Sequence, residues 1–167
     1  MLNLLQAVEI GKVLSGEEVI LAPMPAAETD RLGSVFSAIE PWSRYPFSQD
    51  ALTRHLSMVE PGAPRYLIRV GGDAAGTLTV RLNWLGGPYL QFLAVVPAHQ
   101  KNGIGALALH WFEDAARKEK ARNLWVAASD FNAGAIRFYE RHGFQRAALI
   151  DNLIADGLNE VLLRKKL

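Results

Sequence analysis

The apolar run Tyr89 to Val96 ends at Pro97 and leads, through Ala98-His99-Gln100-Lys101-Asn102-Gly103, into Ile104, Leu107, Ala108, Trp111 and Ala115, which recur at helical spacing. No feature constrains the chain more, because a buried strand passing straight into an amphipathic helix fixes a strand-turn-helix unit. It also sets Gly103 and Gly105 at the helix N-terminus. The first N–H groups of a helix have no intrahelical partner and the helix dipole adds positive potential, so a pyrophosphate at this turn meets several donors at once. The missing Cβ atoms of Gly103 and Gly105 let phosphate oxygens approach the main chain. Alone, the two glycines would serve close helix-strand packing equally well.

A second motif narrows the choice. Asn132 to Phe144 reads N-A-G-A-I-R-F-Y-E-R-H-G-F, a helix capped by Asn132, carrying Ala135, Ile136 and Tyr139, and closed by Gly143. With Gln100, Gly103 and Gly105 upstream, the chain resembles the GCN5-related N-acetyltransferases, the GNAT family, from about Glu18 to the C-terminus. In that family Q-x-x-G-x-G followed by N-x-x-A-x-x-x-Y-x-x-x-G-F marks the acyl-CoA site. The resemblance implies the GNAT-type α/β fold, a mixed and largely antiparallel sheet with helices on both faces. It implies acetyl-CoA as cosubstrate and transfer to an amine in a ternary complex.

The chain has 167 residues, half of them hydrophobic, enough for one core without metals or disulfides. Residues 1–17 are expected to be an N-terminal extension, in which Leu4, Leu5 and Val8 fit a helix face while Val8 and Ile10 fit strand alternation; residues 18–167 are expected to be a single domain. The extension can pack on its own domain or on a second copy in a homodimer. With 18 Lys+Arg against 17 Asp+Glu there is no basic field for nucleic acid, and the tail Arg164-Lys165-Lys166 reads as a solvated strand end. No apolar run reaches membrane-spanning length, and no basic region precedes the first leucines, so a soluble cytoplasmic protein is expected. The absence of cysteine rules out an acyl-cysteine intermediate and thiolate zinc sites. His110 and Asp114, at i, i+4, read as a surface pair, and no metal is expected.

Along the chain, Val19 to Met24 reads as a strand, and Thr29 or Asp30 can cap a helix toward Ile39. Ser48 can cap a helix carrying Leu52, His55, Leu56 and Val59. Tyr66 to Val70 and Thr77 to Leu82 form a hairpin across Gly71-Gly72-Asp73. The phosphate helix runs to about Lys120, Leu124 to Ala128 is a strand, and Phe144 to Leu153 pairs with Glu160 to Arg164 across Asp156-Gly157.

By the resemblance, the strand before the phosphate loop carries a bulge and splays from its neighbour. Pantetheine would lie against Leu93 and Val95 there, with the Val95 N–H facing the thioester carbonyl. The pyrophosphate would be wrapped by Gln100, Lys101, Asn102, Gly103, Ile104, Gly105 and Ala106, and Asn132 would hold the pantetheine arm. Tyr139 is the expected general acid, since a phenol with pKa about 10 is protonated at neutral pH and can serve a departing thiolate. The family's glutamate positions fall on Tyr89 or Gln91 and on Ala127, none of them a carboxylate, which leaves Glu40, Asp50, Asp130 or a water relay as the base. A neutral incoming amine favours an α-amino group, with pKa about 8, over a lysine, with pKa about 10.4.

Pro41-Trp42 and Asp156-Gly157 are similar to the ribosomal-protein alanine acetyltransferases within that family, so a peptide N-terminus stands beside a small-molecule amine as acceptor. Arg44, Tyr45, Arg54 and His55 near the same mouth suggest an acidic or zwitterionic acceptor. A non-catalytic acyl-CoA-binding domain is the reading from another class.

Overall fold

The computed structural model describes residue 2 and residues 6–167. Leu4 and Leu5, weighed above for a helix face, lie outside the described residues. The described strands are β1 Val8–Lys12, β2 Glu18–Pro23, β3 Arg65–Val70, β4 Asp73–Trp84, β5 Gly87–Val95, β6 Asn123–Ser129, β7 Gln145–Ala155 and β8 Leu158–Lys166. They form one eight-stranded sheet in the order β1-β2-β3-β4-β5-β6-β8-β7. Every neighbouring pair is antiparallel except β5 with β6. The α-helices are α1 Ala26–Ser37, α2 Gln49–Ser57, α3 Ile104–Lys118 and α4 Ala133–Arg141. Part of the stretch expected as an extension belongs to the sheet: β1 is its edge strand, with Val8 opposite Leu21 and Lys12 opposite Glu18. Leu2 is buried, and its carbonyl accepts from the Tyr66 hydroxyl.

Local signals explain most boundaries. The Ser48 hydroxyl accepts from Ala51 N at 3.1 Å and opens α2, and Asn132 Oδ1 accepts from Ala135 N at 3.1 Å and opens α4. Helix α1 starts before the expected Thr29 or Asp30 cap. Ala26 and Ala27 are strong helix formers, so the helix extends back to extended Pro25, and the Thr29 hydroxyl donates to Ala26 O at 2.9 Å.

The sheet separates two apolar cores. One joins it to α3 and α4 through Ile104, Leu109, Phe112, Ile136 and Tyr139. The other joins it to α1 and α2 through Leu32, Phe36, Leu52 and Leu56. Strand β5 serves both, because Thr79 pairs with Phe92 while Val80 pairs with Leu90, leaving Gln91 as one extra residue in a bulge. Leu90 therefore packs in the α3/α4 core and Phe92, two residues on, in the α1/α2 core.

Strands β5 and β6 pair only at Tyr89 with Trp125 and Leu90 with Val126. Their shared base is fixed by Trp125 Nε1 donating to Leu85 O at 3.1 Å and Asn123 Nδ2 donating to Gly86 O at 3.2 Å. The strands approach so closely there that a Cβ on Gly87 would lie 2.0 Å from the Asn123 carbonyl oxygen. Past Leu90 they part, and a wedge opens toward the N-terminus of α3. Among the described residues no helix is long and apolar enough to cross a membrane.

Candidate active site

The wedge is lined first by main chain. Val96 N donates to Ala75 O on the β4 side, and since successive residues of a strand point their N–H groups to opposite edges, Val95 N–H is directed into the opening. Gln100 folds back, its Nε2 donating to Val95 O at 3.0 Å, so this side chain ties the loop to the strand end. Gly103 caps α3 in the left-handed region at φ 85°, with no described residue within 4 Å of the position a Cβ would occupy. The orphan N–H groups of the first turn of α3, Ile104, Gly105 and Ala106, follow directly. Lys101 and Asn102 are exposed beside them. This geometry fits a pyrophosphate: open space, a left-handed glycine and a helix start.

Deeper in, a cavity of about 380 Å³ receives Leu93 and Gln91 from β5, Asn132, Ala135 and Tyr139 from the α4 side, and Trp42, Tyr45 and His55 from the α1/α2 side. Gln91, the bulge residue, has a buried Oε1 without a hydrogen-bond partner among the described residues. Tyr139 is 8% exposed and packs edge-on against Phe144, ring centroids 5.8 Å apart; burial holds its phenol well above the usual value. Tyr89, on the opposite wall, is pushed up to about 12 by burial and by the nearby Glu160.

The carboxylate in this cavity is Glu160. Glu40, Asp50 and Asp130 are exposed and line no part of it, and Asp130 is engaged by Asn159 at 3.0 Å. Ala127 lies on β6 two residues before Ser129, and Ser129 stands opposite Glu160 on β8. Glu160 therefore sits on the neighbouring strand, on the same face as Ala127 and Ser129. Glu160 is only 6% exposed, and its Oε1 accepts from the Ser129 hydroxyl at 3.1 Å and from the Tyr45 hydroxyl. Burial pushes its pKa up, and the two hydroxyl donors offset this only in part. The Tyr45 phenol is raised by its own burial and by Glu160.

Two expectations for the mouth change. Arg44 and Arg54 are exposed outside the cavity, Arg44 lying over the Phe131 ring at 3.8 Å. His55 does line the cavity, but burial and the nearby Arg65 lower its pKa to about 4, and Nε2 shares a 3.2 Å hydrogen bond with Thr79. It is neutral at physiological pH and attracts no carboxylate.

The model of the acetyltransferase (GNAT) family matches residues 29–144. The chain belongs to this family. Among curated proteins it is 34% identical over 88 residues to the streptothricin acetyltransferase of Streptomyces lavendulae, covering 51% of this chain and 47% of that one. It is 29% identical over 125 residues to the ribosomal protein bS18 alanine N-acetyltransferase of Escherichia coli (strain K12), covering 74% and 78%. The chain spans about half the length of the streptothricin acetyltransferases that it matches. Among solved structures, an acetyltransferase from Thermus thermophilus superimposes with a TM-score of 0.73 at 20% identity over 96% of this chain and 100% of that one. A GNAT-family acetyltransferase from Elizabethkingia anophelis with acetyl-CoA bound does so at 0.65 and 16% identity, over 89% and 98%. These two likenesses establish the shared fold.

Within this GNAT fold, the sequence motifs marked the wedge and α4 but missed Glu160 and Ser129. One signal was available. Glu160 heads the apolar strand Val161-Leu162-Leu163, and Val161 and Leu163 face the α3/α4 core, so Glu160, one residue out of step, faces the opposite side. A carboxylate buried at such a position is uncommon without a task or a partner.

Proposed function

We propose that the chain is an acetyl-CoA-dependent N-acetyltransferase acting on a primary amine by direct attack in a ternary complex. What carries this reading is that Glu160 and Tyr139, a buried carboxylate and a buried phenol, line one cavity at the deep end of a wedge whose mouth is the start of α3. The main chain of residues 100–106 would hold the pyrophosphate, with Lys101 adding charge, and Leu93, Val95 and Asn132 would hold the pantetheine arm.

In the transfer, Glu160 takes the proton of the amine as its nitrogen attacks the thioester carbonyl, the C–N bond forms and the C–S bond breaks. Val95 N–H donates to the carbonyl oxygen as it gains charge. Tyr139 passes its proton to the departing sulfur, and the proton on Glu160 returns to the phenolate through solvent. The raised pKa of Tyr139 keeps the donor form fully present and makes it a weak acid, so the transfer follows the charge building on sulfur in a site shielded from water.

The longer match to the bS18 alanine N-acetyltransferase favours a peptide N-terminus as a second reading of the acceptor. Glu160 in the same cavity as Tyr139 weighs against a binding-only domain. Thiol release from acetyl-CoA, measured against small amines, amino acids, streptothricin and alanine-starting peptides, tests the reaction. One thiol per acetylated amine is expected. Calorimetric CoA binding without turnover of any acceptor would overturn the enzyme in favour of a binding domain.

A further inference from the structure

We infer that the acceptor is a primary amine on an apolar body without a carboxylate, such as an arylalkylamine or a branched alkylamine, rather than an amino acid or a polyamine. The inference rests on the acetyl-transfer reading and names its substrate class. Beyond Glu160 the α1/α2 side of the cavity is aromatic and aliphatic, built from Trp42, Phe47, Leu52 and Phe92 with Leu153 and Ile154 closing it from β7, while Gln91, Ser129 and Asn132 keep their polar groups to the β5/β6 side. Trp42 and Phe92 stack with centroids 4.7 Å apart and planes 27° from parallel. Phe36 braces both from behind, at 5.6 and 6.0 Å, which makes this a packed wall.

Charge is as restricted as shape. Among the described residues that line the cavity, Glu160 is the one carboxyl group, none is a lysine or arginine, and His55 is neutral. Among the described residues both hydrogen bonds to Glu160 end on Oε1, which leaves Oε2 to accept from an incoming nitrogen. An ammonium is attracted to this single place by the carboxylate and by the ring faces beside it. A carboxylate on the carbon next to the amine would stand beside Glu160 with no cation to offset it. A second ammonium further along the acceptor, against buried Leu52 or Phe92, would lose hydration with no carboxylate to offset it. A ring or branched alkyl group meets neither penalty.

The test uses the full chain with acetyl-CoA and three probes: 2-phenylethylamine, phenylalanine, which adds the carboxylate to the same body, and spermidine. Thiol release gives kcat/KM, and calorimetry on the CoA-loaded protein gives binding independently of turnover. The expected result is kcat/KM for 2-phenylethylamine at least about 100-fold above either of the others. Trp42→Ala should raise KM for 2-phenylethylamine more than it lowers kcat. Equal or better use of phenylalanine or spermidine overturns the acceptor class and leaves the acetyl-transfer reading standing. Selective binding of 2-phenylethylamine without thiol release upholds the class and overturns the acetyl-transfer reading instead. Failure of 2-phenylethylamine both to bind and to react overturns the class, whichever other amine is acetylated.

Discussion

Ser129 and Glu160 stand opposite each other on β6 and β8, and the Ser129 hydroxyl donates to Glu160 Oε1 at 3.1 Å. With the Tyr45 hydroxyl arriving from the segment between α1 and α2, the carboxylate is gripped from two sides of the cavity. Neither hydroxyl ionises near neutral pH, so together they orient Glu160 without neutralising it.

Glu160→Gln should lower kcat by about 10²- to 10⁴-fold while leaving the thermal midpoint equal or higher. The amide keeps an acceptor for both hydroxyls and removes a charge that burial opposes. In the wild type, kcat/KM should fall as pH drops through a pKa above the ordinary glutamate value of about 4.3, because the base works only when deprotonated. Thiol-release profiles and melting curves of both proteins check this, and an undiminished kcat in the variant would sink the base role.

Tyr139→Phe should reduce kcat by about 10²-fold with the calorimetric Kd for CoA unchanged, since the ring that fills the core is retained. Full turnover under conditions where chemistry limits the rate would remove the acid role.

Gly103→Glu should weaken CoA binding at least about tenfold with little loss of fold stability at pH 7 beyond the strain of φ 85°, because no described residue lies within 4 Å of the new Cβ. Unaltered affinity would show that the start of α3 is not the phosphate site.

His55 makes the fold acid-sensitive. Its folded pKa of about 4 lies below the unfolded value of about 6.5, so the unfolded state binds more protons between these limits and stability rises with pH across that window. On acidification from pH 6.5 toward 4 the wild type should lose up to about 3 kcal/mol from this group, and His55→Gln should lose less. Urea unfolding at pH 4.5 and 7 measures the difference.

Gly87→Ala should destabilise the protein by about 2 kcal/mol or more, because its Cβ would meet main chain, the Asn123 carbonyl, at 2.0 Å, and main chain cannot swing aside. A denaturant midpoint equal to the wild type would mean that the base of the wedge is loose.

Sequence periodicity and capping carried much of this. The Ser48 and Asn132 caps, the strand into α3 and the terminal hairpin are set by neighbours in the chain, and all are present. What distance in sequence concealed is the pairing of β6 with β8, which joins Ser129 to Glu160 across 31 positions. Glu160 carries no local mark except its phase, and it lies on β8, not on β5 or β6, which flank the phosphate loop and its helix. For Arg44 and Arg54, residue type and nearness in sequence said nothing of side-chain direction, and both point away from the cavity.

The extra residue at Gln91 has a consequence for how this protein can change. Without it, Leu90 and Phe92 would share one face, and any remodelling of the acceptor wall would disturb the packing of α3 and α4. With it, β5 behaves as two half-strands out of register by one side chain. The wall at Phe92 can then be redrawn for a new amine while Leu90 and Leu93 go on serving the opposite face.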